Sequence, residues 1–346
     1  MMTTMRAAVV AGPQRFEIKE IEVPALEPGR VLVRVRNCGI CGSDLHFYKG
    51  EFPSAPGMRL GHEISGEVAA VGEGVTGLSA GQAVAIEPVE VCRACIYCQS
   101  GRQQLCPERK FLGTMLPGAF AEYVNVPAYT VHPLPDGMPF EVGALVEPLA
   151  VTVHGLRQVG LAAGERVAVI GAGTIGLMAL VGARAMGASD VFVTARYPHQ
   201  AEAARALGAA QVVEAGEGAV AKLSAAFDGR FPEVVVETVG GHGETLNQAV
   251  ALAQAGGRVS VLGIFTGQVS LNMTVAVLKE VALLGGITYG RPTSRSDFEL
   301  AMEIASRRVD DLRRIITHRV ALDDIERGFA TAADKSQRSI KVTVEV

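Results

Sequence analysis

The stretch Val167-Ala-Val-Ile-Gly171-Ala-Gly173-Thr-Ile-Gly176 decides how this chain is read. A run of apolar, strand-forming residues meets three glycines spaced G-x-G-x-x-G, and a helical pattern opens near Ile175. Three glycines at this spacing are a weak signal alone. Between a strand and a helix they are a strong one, because glycine lets the backbone and the helix N-terminus approach a pyrophosphate. Gly171, Gly173, Thr174, Ile175 and Gly176 are therefore candidate cofactor contacts.

The surrounding sequence supports that context. Strand-like runs at Arg166–Ile170, Asp190–Thr194, Val234–Glu237 and Arg258–Leu262 alternate with alanine-rich helical runs such as Ile175–Met186 and Gln200–Leu207. This βαβ series predicts a parallel sheet with helices on both faces. The first 150 residues read differently, as short strands (Arg6–Val10, Val31–Arg36, Ile64–Val71, Ala83–Ile86) broken by glycine and proline, hence an antiparallel barrel or sandwich. The tail, Ser296–Val346, holds a helix or two and a last strand, Ser339–Val346.

A length of 346 residues favours two domains, and 20 % charged against 49 % hydrophobic residues is the balance of a soluble enzyme. The net charge of −4 argues against nucleic-acid and anionic-membrane partners. Val167–Ala183 is apolar but carries four glycines and falls short of the roughly 18–20 residues of a membrane span. The start, MMTTMRAAVV, has no long apolar core, so a cytoplasmic location with reduced thiols is expected.

Five of the six cysteines fall into metal-like groups. Cys92, Cys95, Cys98 and Cys106, spaced C-x2-C-x2-C-x7-C, can close a tetrahedral shell around zinc and leave no place for substrate, so they predict a structural metal. A second, open zinc site is expected at Cys41 and His62, with Glu63 and Glu147 both acceptable as the third ligand. A lone His62 or Glu147 would read as an ordinary buried residue; in this company they read as ligands. Ser43 and His46 suggest a proton path, since an alcohol held at a metal must lose its proton before hydride leaves its carbon. Cys38, the sixth thiol, reads as a small buried hydrophobe.

An NAD-preferring site would place Asp or Glu at the end of the second strand, on the ribose 2′-OH. Thr194-Ala195-Arg196 stands there instead. Without the carboxylate a 2′-phosphate is not repelled, and Arg196 can pair with it, so NADP(H) is expected over NAD(H). Ala195, Arg196, Thr238, Leu262 and Ile264 complete the candidate cofactor set.

Taken together, Gly61-His62-Glu63, Cys41 with Ser43 and His46, the four-cysteine lobe, Glu147-Pro148-Leu149-Ala150 and the GAGTIG turn resemble the zinc-dependent medium-chain dehydrogenases, along essentially the whole chain. The family includes alcohol, sorbitol, threonine and butanediol dehydrogenases. The resemblance implies an α/β chain with a GroES-like, β-rich catalytic domain over 1–151 and 289–346. Inserted in it, over 152–288, is a doubly wound Rossmann domain. It also implies two zinc ions per chain and a homodimer or homotetramer. Glu147 makes the site more similar to the sorbitol and threonine branches. Polyol dehydrogenases tend to carry an Arg-Tyr pair near the substrate, where this chain has Thr288-Tyr289, and Phe47, Phe111 and Tyr289 are candidate pocket residues by the same analogy.

The leading expectation is an oxidoreductase moving hydride between a secondary alcohol or polyol and NADP(H). An NAD-dependent threonine or butanediol-type dehydrogenase is the alternative. A zinc-lobe nucleic-acid binder lacks a basic stripe with stacking aromatics. A catalytically idle relative would not need Cys41, Ser43, His46 and His62 intact.

Overall fold

A computed structural model describes residues 3–241 and 244–346. It divides into two compact units: Met1–Glu147 with Arg291–Ser294 and Ala305–Val346, and Pro148–Gly290 with Arg295–Ile304.

The second unit is built on six parallel strands, Val167–Ile170, Val191–Ala195, Gln211–Glu214, Val234–Glu237, Arg258–Val261 and Ala282–Gly285. Counted along the chain, their order in the sheet is 3-2-1-4-5-6, that of the Rossmann fold. Val167–Ile170 is buried throughout, because helices on both faces remove the need for alternating polar residues. The strand order reverses beside this strand, and there the chain turns sharply. Gly171 has φ of +97°, a conformation costly for any residue with a Cβ. Its amide donates to Thr194 Oγ1 at 2.9 Å, and Thr238 Oγ1 donates to the Ile170 carbonyl at 2.8 Å. The helix Thr174–Ala185 starts at once with Gly173 as its N-cap.

The first boundary falls at 147/148 instead of the expected 151/152, and the second differs from the expected 288/289 for a specific reason. The buried Asp297 carboxylate accepts from His154 Nδ1 at 2.8 Å, Arg157 Nη1 at 2.7 Å and the Gly290 amide at 2.8 Å. These bonds tie the start of helix Asp297–Arg307 to the second unit, although the sequence after 289 was expected in the first.

The first unit holds a seven-stranded sheet ordered Ile316–Ala321, Lys341–Glu345, Arg30–Gly39, Glu63–Val71, Ala83–Ile86 and Val131–Pro133, with Tyr123–Pro127 also paired to Arg30–Gly39. Pairing is antiparallel except between Ile316–Ala321 and Lys341–Glu345. Its register brings the last strand of the chain beside an early one: Gly39 lies opposite Glu63 on one side and Thr343 on the other. Valines of the central strands, with Phe120, Phe329 and Cys38, form its core. No helix among the described residues is long and apolar enough to cross a membrane.

Close packing at the turn yields a prediction. A Cβ on Gly176 would lie 1.9 Å from the Gly171 carbonyl oxygen, whereas one on Gly173 would meet nothing within 4 Å. Gly176→Ala should therefore destabilise the protein by about 2 kcal/mol or more and Gly173→Ala by much less, read as denaturant midpoints.

Candidate active site

The first ligand candidate sits where a strand ends and a helix begins. Cys41 precedes helix Gly42–Lys49, and its amide donates to Asp44 Oδ2 at 3.0 Å, a helix-capping contact that fixes the turn. His62 and Glu63 stand at the start of the strand Glu63–Val71, after a Gly61 with φ of +95°. A Cβ on Gly61 would press on Cys38 Sγ and the Phe120 ring, so only glycine brings this corner in so tightly. The result is one cluster: ligand atoms of Cys41, His62 and Glu63 all lie within 4.8 Å of one another.

A thiol, an imidazole and a carboxylate at this spacing are a donor set that zinc accepts, and their neighbours orient them. His62 Nδ1 faces Asp44 Oδ1 at 3.5 Å, while Nε2 lies 3.5 Å from Ser43 Oγ. A carboxylate behind a ligating histidine sets its tautomer and ring orientation. Burial works against a charged His62, but Asp44 and Cys41 more than offset it and hold the imidazole well above its ordinary pKa. Phe111 packs edge-on to the His62 ring at 5.1 Å.

Glu63 is fully buried and gripped by a residue the sequence reading missed. Lys341 Nζ lies 2.6 Å from both Glu63 oxygens and donates to the Ile40 carbonyl at 3.0 Å. Burial disfavours the Lys341 cation, yet the adjacent Glu63 charge prevails and raises its pKa. Gly39 makes room, since a Cβ there would stand 1.9 Å from Glu63 Oε2. Nothing local in the sequence links Lys341 to Glu63. Asp44 was missed too, although its spacing from Cys41 is a capping signal. Glu147 is buried beside this charge set but outside the three-residue cluster. Burial, opposed by His62 and aided by Glu63, pushes its carboxyl up to about 7.

The proposed relay residues are not directly joined. Ser43 sits against His62, whereas His46 Nδ1 pairs with Glu51 and its ring packs on Phe52 at 4.8 Å. Of the pocket residues taken from analogy, Phe47 packs edge-on to Phe52 and Tyr289 is buried against Phe298.

The four lobe cysteines also converge. Their sulfurs lie within 4.8 Å of one another, with Cys92–Cys98 at 3.9 Å and Cys92–Cys106 at 3.5 Å. A tetrahedral zinc shell with bonds of about 2.3 Å spaces its sulfurs by about 3.8 Å, so the lobe fits a closed metal. Amides of Ala94 and Cys95 donate to Cys92 Sγ and bring its thiol down to about 7, while burial and the Cys95 thiol push Cys98 up to about 12.

In the second unit, a cavity of about 630 Å³ opens at the carboxyl ends of the strands. Gly171, Gly173, Arg196 and Thr238 line it, joined by Thr194, Tyr197, Gln200 and Gly216, which the sequence reading did not single out. Ala195 is buried at the strand end and Leu262 is buried near Gly155 and Gly286; Ile264 is exposed, and none of these three is in the lining. Thr174, Ile175 and Gly176 form the first turn of the helix behind it.

Comparison with known proteins identifies the family. Residues 27–136 match the family model for the alcohol dehydrogenase GroES-like domain, and residues 174–307 that for zinc-binding dehydrogenases. Sorbitol dehydrogenase of Bacillus subtilis is 31 % identical over 347 residues, covering 98 % of this chain and 97 % of that one. L-Threonine 3-dehydrogenase of Bacillus licheniformis is 34 % identical over 319 residues, covering 91 % and 90 %. Among solved structures, a protein described as a zinc-binding dehydrogenase from Sinorhizobium meliloti, bound to NADP, superposes with a TM-score of 0.87 at 31 % identity, covering all of both chains. A GroES-like unit, a Rossmann unit and relatives aligned along its length place this chain in the zinc-dependent medium-chain dehydrogenase family of oxidoreductases.

Proposed function

We propose that the protein moves hydride between a secondary alcohol or polyol and NADP(H), with the ketone as the oxidised product. The observation that carries this reading is the convergence of the half-buried Cys41 with the buried His62 and Glu63. Zinc held by these three residues would supply the charge that polarises the substrate oxygen, and a second zinc in the cysteine lobe would serve the fold.

The chain's own groups divide the remaining work. Asp44 orients His62, and the buried Lys341 fixes Glu63 and balances its charge. Ser43 Oγ is the hydroxyl placed to take the substrate proton, being next to the His62 ring. His46, half-buried and paired with Glu51, is the group nearer solvent; it does not touch Ser43, so the proton would reach it through a bridging water. Glu147, with its pKa near 7, is a reserve carboxylate beside the ligands.

Two observations favour NADP(H): Ala195-Arg196 at the second strand's end, and NADP in the Sinorhizobium meliloti relative. A threonine-type activity is the second reading, favoured by the 34 % identity to the Bacillus licheniformis enzyme. A panel of polyols, secondary alcohols and β-hydroxy amino acids separates the two. Homodimeric or homotetrameric assembly, checked by sedimentation, also belongs to this reading.

With the best substrate of that panel, NADP⁺ should exceed NAD⁺ by at least about tenfold in kcat/KM, since a phosphate–guanidinium pair is a strong, charge-assisted contact. A tenfold preference for NAD⁺ would sink the cofactor assignment. Cys41→Ser should lower kcat/KM for alcohol oxidation by at least about 100-fold with near-normal thermal unfolding, and unchanged activity would refute the zinc mechanism. Metal analysis should return two zincs per chain. Cys95→Ser should remove one of them and lower the unfolding midpoint, with the remaining folded protein still active.

A further inference from the structure

The cavity of the second unit has a wall that the candidate cofactor residues leave unexplained. From Thr194 and Arg196 its lining continues through Tyr197 and Gln200 to Gly216. Gln200 is only 7 % exposed and is the third residue of the helix Pro198–Ala206. A glutamine at that position commonly folds back to cap the amide ahead of the helix. Here it does not: its carboxamide makes no hydrogen bond among the described residues and faces the cavity. A side chain this buried, with an unpartnered amide open only to the cavity, is complementary to a polar group on a ligand.

The surrounding charges indicate which group. Arg196 is exposed at the rim, its guanidinium carbon 5.7 Å from the centre of the Tyr197 ring. The helix that starts at Pro198 has no acidic residue in its first turn, so its positive N-terminal end is uncompensated there. At the second strand's end, where a carboxylate would hold ribose hydroxyls, stands the buried Ala195. Glu214, beside Ala195 in the sheet, points into solvent and pairs with Lys222 at 3.7 Å. Among the described lining residues the only carboxylate is Glu244, which follows the fourth strand instead. A cation, a helix N-terminus and an open amide donor on one wall, with no acid beside them, suit a doubly charged phosphate monoester.

We propose that Gln200 is a specificity-determining residue for the dinucleotide: its Nε2–H donates to a phosphate monoester on the adenosine ribose, while Arg196 supplies the charge. The inference rests on the NADP(H) reading above and adds a second, buried arm to it. Arg196 is exposed and screened, whereas Gln200 is mostly buried in the cavity wall, where a carboxylate in its place would repel a phosphate at close range.

Calorimetric binding of two nicotinamide-free probes, adenosine 2′,5′-bisphosphate and adenosine 5′-monophosphate, tests this on the whole protein. Wild type should bind the bisphosphate at least about tenfold more tightly than the monophosphate. Gln200→Glu, which keeps the size but replaces the donor by a charge, should weaken the bisphosphate by at least about tenfold and the monophosphate by less than about twofold. Gln200→Met, close in size and without a donor, should give a smaller loss confined to the bisphosphate, and it keeps the test open if the glutamate variant folds poorly. Equal weakening of both probes, or none, overturns the role of Gln200. If wild type shows no preference for the bisphosphate, the NADP(H) reading itself fails. If it does, and Arg196→Ala abolishes that preference while both Gln200 variants keep it, only the Gln200 assignment falls.

Discussion

The grip of Lys341 on Glu63 is the interaction on which the rest of the candidate site depends. Both side chains are fully buried, and each ion alone in such a place would cost several kcal/mol. Together, with the Ile40 carbonyl taking a further Lys341 proton, they form a neutral pair with one carboxylate face left towards Cys41 and His62. The geometry exists because three segments distant in sequence share one sheet. Residues 39, 63 and 343 lie side by side, and Gly39 has no side chain to fill the space that Glu63 occupies. The carboxyl-terminal strand is thus part of the site, though it supplies no ligand to the cluster.

The second unit solves a different problem with the same device. A pyrophosphate needs backbone amides brought close, so the turn after the first strand must be tight and the helix must start at once. Gly171 supplies the left-handed corner and Gly176 the close approach, while Thr194 and Thr238 tie the turn to the neighbouring strands. In both units glycine marks the places where function needs space that a Cβ would take.

Much of this was legible in the sequence, for physical reasons. The strands Val234–Glu237 and Ala83–Ile86 emerge as read, because buried runs of β-branched residues are unambiguous between glycine-rich turns. The metal clusters were legible because thiol and imidazole ligands are rare and local in sequence. Short edge strands such as Gln211–Glu214 and Ala282–Gly285 were not, since pairing on one side leaves them no distinctive pattern. Nor was the charged strand Arg15–Glu22, whose polar face conceals its pairing with Thr4–Gly12. Lys341 and Asp297 escaped for a deeper reason: a buried charge is defined by its partners, and these lie 278 residues away for Lys341 and 143 for Asp297. The sequence reading also left Glu63 and Glu147 as equal candidates for the third ligand. Only Glu63 lies within ligand spacing of Cys41 and His62, and Lys341 is what holds it there.

The most direct test of this account is anomalous scattering at the zinc edge from crystals of the metal-loaded protein. Two peaks should appear per chain. One should lie among the lobe sulfurs, and the other should be at about 2.0–2.3 Å from Cys41 Sγ, a His62 ring nitrogen and a Glu63 oxygen. A single peak in the lobe, or a second one bonded to Glu147 with Glu63 left to Lys341 alone, would contradict it.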